Sequence, residues 1–184
     1  MGSVLKNVLQ ALSSNYYQLK EFDMAKKILV AMDASEHAMK AARYAAETLK
    51  GCKDVKITLF SVIPEVSAAF KTLVGTDFAS IIPDFERKLG DLATLRHKQE
   101  AKIKETLEQA KEMLQKSSIP EDNIEIAVRR KKEGIARDIL RELEKGAYDT
   151  IVVGRRGVSG AFFFGSVSDK IVKYARNCAV WVID

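Results

Sequence analysis

Short apolar runs and longer amphipathic stretches alternate along most of this chain. KKILVAMD, Lys26 to Asp33, is an aliphatic run flanked by charge and predicts a buried parallel strand. In the following SEHAMKAARYAAETLKG, residues Ala38, Ala41, Ala42, Ala45, Ala46 and Leu49 recur at helical spacing, with Ser35 as N-cap and Gly51 as the stop. VKITLFSVIPE, from Val55, predicts a second buried strand that Pro64 ends. The pattern breaks down over residues 66–82, which predict a mobile connection or short helical pieces, and Pro83 opens a long helix. On that helix Ile103, Leu107, Ala110 and Leu114 share one face, lysines and glutamates cover the others, and Ser117 and Ser118 end it.

The alternation continues with the strand IEIAVRR and the helix GIARDILRELEKG, which turns Ile135, Ile139, Leu140 and Leu143 inward. The strand YDTIVVG, the helix SVSDKIVKYARN and the strand AVWVID complete it. Five strands separated by four helices require parallel pairing through right-handed crossovers, hence an α/β fold with a doubly wound sheet and helices on both faces. Ligands of such sheets bind beyond the carboxyl ends of the strands, at the switch point. Residues 1–23 precede the pattern as an N-terminal extension, in which Leu5, Val8, Leu9 and Leu12 suit a short helix that either docks or steadies a dimer or else stays a disordered tail. The pattern itself occupies one domain, residues 24–184.

Composition narrows the class. Hydrophobic residues make up 47% and charged residues 30% of the 184, a balance that supports a packed core and excludes global disorder. The net charge of +5 mildly favours anionic partners without choosing among them. Cys52 and Cys178 are too few for a disulfide framework and read as buried free thiols. With no run long enough to span a membrane and no signal-peptide pattern, the expected location is the cytoplasm. The basic run Arg129 to Lys132 lacks the interleaved aromatics of a nucleic-acid platform and reads as a solvated strand end. Neither His37 nor His97 has a neighbour at metal-ligand spacing, so no metal site is expected.

The chemistry concentrates in VVGRRGVSGAFFFGSVSDKIV, from Val152, with glycines at 154, 157, 160 and 165. Glycine permits positive φ and close backbone approach, and Ser166 stands where a helix N-terminus can meet a phosphate. With the Asp33 strand, the FSVIPE stretch and the Gly134 helix start, this segment resembles the universal stress protein family across Lys26 to Asp184. The resemblance implies strand order 3-2-1-4-5, an adenine nucleotide alpha hydrolase-like (Rossmann-like) fold, and a site for ATP, ADP or AMP with Mg2+. It puts Asp33 beside the ribose or phosphates, Val62 against the adenine, and Val153 with Gly154 at the base and ribose. Arg156 and Gly157 would approach the phosphates, which Gly165, Ser166 and Val167 would hold, and Arg155 would add charge.

One spacing departs from the family. Seven residues, VSGAFFF, separate Gly157 from Gly165 where the nucleotide-binding pattern has nine, and the missing pair falls near Gly160 and Ala161. The three phenylalanines, Phe162 to Phe164, cannot all face one core, so one marks a partner surface. Two functions follow: an adenine-nucleotide-binding stress or regulatory protein, expected as a homodimer, or a stress protein whose shortened segment closes the site and which acts through dimerisation and an unidentified protein partner. Without a general base poised for water or a P-loop lysine, catalysis beyond weak ATP hydrolysis is not expected.

Overall fold

The computed structural model describes residues 25–64, 85–157 and 165–184. The expectations for residues 1–23, for 66–82, for a helix opening at Pro83 and for the segment holding Gly160, Ala161 and the three phenylalanines lie outside the described residues.

Five strands form one parallel sheet: β1 (Lys26–Ala31), β2 (Val55–Ile63), β3 (Ile124–Arg130), β4 (Thr150–Gly154) and β5 (Ala179–Ile183), in the order β3-β2-β1-β4-β5. The parallel alternation read from the sequence is therefore present, in the order that the resemblance implied. Between the strands run α1 (Glu36–Thr48), α2 (Phe85–Lys116), α3 (Ile135–Gly146) and α4 (Ser166–Tyr174). A single 3-10 turn, Glu121–Asn123, leads into β3.

The period of two along the central strands sorts the core into two layers. Ile28, Val30, Ile57, Leu59 and Val152 point to the face covered by α1 and α2. Leu29, Phe60, Ile151 and Val153 point to the face covered by α3 and α4. Full burial of Leu29, Leu59 and Ile151 contributes roughly 1.5–3 kcal/mol each. Helix α1 approaches closely because its inward positions are alanines, and Ala41, Ala42 and Ala45 are fully buried. Ser35 caps it, accepting the Ala38 N–H at 3.1 Å. The helix ends at Thr48, ahead of Gly51, whose φ of +73° turns the chain so that its N–H reaches the Ser117 carbonyl at 3.0 Å.

Helix α3 departs from the simple apolar reading. Ile139 and Leu143 are buried as expected, Ile135 and Leu140 only partly, and Asp138 is buried beside them. Its carboxylate accepts the Lys132 N–H at 2.8 Å and the Glu133 N–H at 3.2 Å, closing the turn from β3 into the helix. Burial pushes this carboxyl upward in pKa, but backbone N–H groups of Lys132, Glu133 and Gly134 outweigh it and hold the value below the ordinary aspartate range. Cys52 corrects another expectation: it lies in the polar turn between α1 and β2 and is exposed, whereas Cys178 is half-buried; both are free.

Candidate functional site

Where β1 and β4 lie side by side, their following segments diverge to opposite faces of the sheet. The crevice opens there, as the switch-point rule expects. After β1 the chain makes a turn around Asp33, whose Oδ1 accepts the Ser35 N–H at 2.9 Å just ahead of α1. Asp33 thus orders the approach to the helix while Ser35 caps it.

The glycines after β4 are required by proximity. A methyl group added to Gly154 would lie 2.8 Å from the carbonyl carbon and oxygen of His37, so β4 passes directly beneath the first turn of α1. One added to Gly157 would lie 2.7 Å from Asp33 Oδ2, and one added to Gly165 would lie 3.2 Å from the Arg155 carbonyl oxygen. Positive φ, the other property expected of this segment, is absent at Gly154, Gly157 and Gly165: among the described glycines it occurs at Gly51 and Gly134, and Gly165 sits at −67°.

Arg155 is the junction of this end of the sheet. Its N–H reaches the Ile183 carbonyl, extending the β4–β5 ladder, and its carbonyl accepts the Gly165 N–H at 2.9 Å and the Ser168 hydroxyl at 2.7 Å. Those bonds set the start of α4 against the end of β4. The first turn of α4 leaves N–H groups without intrahelical acceptors, and its dipole places partial positive charge there. Gly165, which precedes the helix, offers no side-chain cap that would occupy them.

A cavity of about 340 Å³ lies at this point, and Asp33, Val62, Val153, Gly154, Arg156, Gly157, Gly165, Ser166 and Val167 all line it. Nine of the ten residues singled out from the sequence therefore meet in one place, and Arg155 is not among those that line it. Its lining combines the apolar Met32, Val62, Ile135, Ile139 and Val153 with Asp33, Arg156 and the start of α4. Ile135 and Ile139, spaced four apart on α3, were legible only as core positions, and Gln99 of α2 had no signal in the sequence.

The arginines differ from expectation. Arg155 Nη1 lies 2.8 Å from Asp184 Oδ2, and Arg156 Nη2 lies 3.0 Å from Asp184 Oδ1. One carboxylate therefore engages both guanidinium groups. The Arg156 hydrogen bond, opposed by slight desolvation and aided by Arg155, holds the Asp184 carboxyl below its ordinary pKa. Three polar atoms near this end, Arg156 Nε, His37 Nδ1 and Ser61 Oγ, are buried with no hydrogen-bond partner among the described residues.

Among the described residues no group of three metal-ligating side chains occurs, and no helix is long and apolar enough to cross a membrane. The seven-residue spacing concerns Val158 to Phe164, outside the described residues, although both flanking glycines are described.

A family model for the universal stress protein family matches residues 24–184. No curated protein matches the sequence significantly. Among solved structures, the chain is similar to universal stress protein UspA from Lactobacillus plantarum, at 20% identity over 87% of this chain and 98% of that one, with a TM-score of 0.64. It is also similar to an Arabidopsis thaliana universal stress protein family protein with AMP bound (22% identity, 86% and 90% covered, TM-score 0.56). A third is the Archaeoglobus fulgidus universal stress protein in complex with dAMP (21% identity, 88% and 99% covered, TM-score 0.53). At these identities the likeness is one of fold.

Proposed function

The chain belongs to the universal stress protein family, and on that premise we propose that it is an adenine-nucleotide-binding stress-response protein. The observation that carries the reading is the convergence of nine of the ten candidate residues on one cavity lined by apolar side chains and a helix N-terminus. An adenine ring needs apolar surface, and a phosphate needs N–H donors in a partly positive field. The cavity offers both within about 340 Å³, inside the range of small-molecule sites. The AMP and dAMP complexes among proteins of the same fold support the same ligand class.

On this reading Val62 and Val153 flank the base, Asp33 and Gly154 face the ribose, and Gly157 gives the phosphate room. The phosphate then meets Arg156 and the backbone N–H groups of Ser166 and Val167, with the Ser166 hydroxyl beside them, while the Gly165 N–H stays on the Arg155 carbonyl. ATP, ADP and AMP share these contacts. Magnesium, where a polyphosphate carries it, has Asp33 as the single carboxylate among the described lining residues, so the ion would keep mostly phosphate and water ligands. Bound nucleotide would stabilise one conformation and so serve as a signal in the cytoplasm. A homodimer through the open edge of β5 fits the half-buried apolar residues there, Val180, Trp181, Val182 and Ile183.

Thermal unfolding tests the proposal. A ligand held only by the folded state at about 100 times its Kd adds about 2.7 kcal/mol, which raises Tm by several degrees in a domain of this size. AMP, ADP or ATP at millimolar concentration is expected to produce that rise. No shift with any of the three would sink the proposal.

A further inference from the structure

We propose that Asp184 sets the phosphate-chain specificity of the cavity, neutralising the Gly154–Gly157 turn so that the site prefers a nucleoside monophosphate over a triphosphate. This rests on the adenine-nucleotide reading and adds the choice of ligand. A site built for a polyphosphate gathers several uncompensated cations around the oxygens. This turn does the opposite. Its two arginines share the Asp184 carboxylate at 2.8 and 3.0 Å, and Asp33 presses a second carboxylate against Gly157. Two positive and two negative side chains cancel. What remains for a ligand is the partial charge of the α4 N-terminus, roughly half an elementary charge, and individual N–H donors.

Asp184 also holds Arg156 in place. With Nη2 committed to the carboxylate, Arg156 lines the cavity while its Nε–H is buried without an acceptor among the described residues. The backbone N–H groups at the start of α4 match the oxygens of a single phosphate, and Arg156 lines the cavity with them. Additional phosphates would bring negative charge toward Asp33 and Asp184 with no spare cation on this turn to meet it. Asp184 acts through the arginines and is a positioning residue. Its place on the last residue after β5, 28 residues from Arg156 in sequence, gives it no part in the glycine pattern.

The test compares AMP and ATP affinities by calorimetry in magnesium-free buffer, for the full chain and for Asp184→Asn and Asp184→Glu. The native chain is expected to bind AMP more tightly than ATP. Asp184→Asn should narrow that ratio by about tenfold, mainly by tightening ATP, as removal of one nearby like charge does. The ATP gain should weaken steeply with added salt, a response that a purely structural role would not give. Asp184→Glu, which keeps the charge, should retain the native ratio. The native ratio is read without any substitution, so it decides the proposal even where a variant fails to fold. Native preference for ATP, or an unchanged ratio in Asp184→Asn, overturns this proposal while leaving nucleotide binding intact. No binding of either nucleotide to any form overturns both readings.

Discussion

The two ends of the sheet are built on opposite terms. At the end where the strands begin, polar groups are consumed by one another. Asp149 accepts the Lys27 N–H at 2.8 Å through Oδ2, and its Oδ1 lies 3.3 Å from Lys26 Nζ. Its backbone N–H donates to the Lys27 carbonyl at 2.8 Å and its carbonyl accepts the Ala179 N–H at 2.9 Å, so one residue joins β1, β4 and β5. Close by, Tyr148 donates its hydroxyl to Thr58 at 3.1 Å. At the end where the strands finish, a cavity opens, glycines replace side chains, and Arg156 Nε, His37 Nδ1 and Ser61 Oγ are left unpartnered. Hydrogen bonding is saturated at the first end and incomplete at the second. The comparison teaches that the hydrogen-bonded end and the candidate site are separated along the strand axis.

Substitutions at either end can break that comparison. The largest effect is expected from Gly154→Ala, since the added methyl meets backbone of α1 that cannot move aside. Overpacking of this kind costs about 1–3 kcal/mol, and the displaced α1 should abolish the nucleotide-induced rise in Tm. A variant that keeps native stability and the full ligand response would show that β4 and α1 are not tightly coupled. At the opposite end, Asp149→Asn should lower stability by about 1 kcal/mol in denaturant titrations and leave nucleotide affinity untouched.

The same carboxylate sharpens the contrast through pH. The Lys27 N–H, against a smaller effect of burial and with help from Lys26, holds the Asp149 carboxyl below its ordinary value. A depressed folded-state pKa contributes stability that is fully present above the unfolded value, about 3.9, and is lost as pH falls through the lower folded value. Asp138 has the same sign for its own reasons. Stability is therefore expected to fall below about pH 4, with a slope that Asp149→Asn and Asp138→Asn each make shallower. The smallest effect belongs to Ser61→Ala. Removing a buried hydroxyl that bonds nothing among the described residues should be neutral or stabilising by up to about 1 kcal/mol.

Much of this architecture was legible because it is local. Strands and helices announce themselves within a dozen residues, and the glycine spacing names the segment that crosses the switch point. The rest depends on where distant segments come to lie. Asp138 reads as a polar intrusion in an amphipathic helix until the preceding turn is seen to donate three N–H groups to it. The glycines read as places for positive φ or close backbone approach, and only the fold shows that close approach is the reason and that the backbone of His37 and the carboxylate of Asp33 are what lies against them. Arg155 and Arg156 read as charge for a phosphate, and only the register of β4 against β5 brings Asp184 to them. Gln99 reaches the cavity because α2 covers that end of the sheet, which no periodicity reports.

The clasp at Arg155 bears on the seven-residue spacing. Gly165 donates its N–H to the Arg155 carbonyl, and a methyl group on it would sit 3.5 Å from the Gly157 nitrogen. The two ends of the intervening segment are thus fastened together by bonds that do not involve it. The entropy of closing a chain between fixed ends varies only with the logarithm of its length, so seven residues in place of nine change it by about 0.2 kcal/mol. On chain-closure entropy alone, the fold tolerates either spacing between the clasped ends.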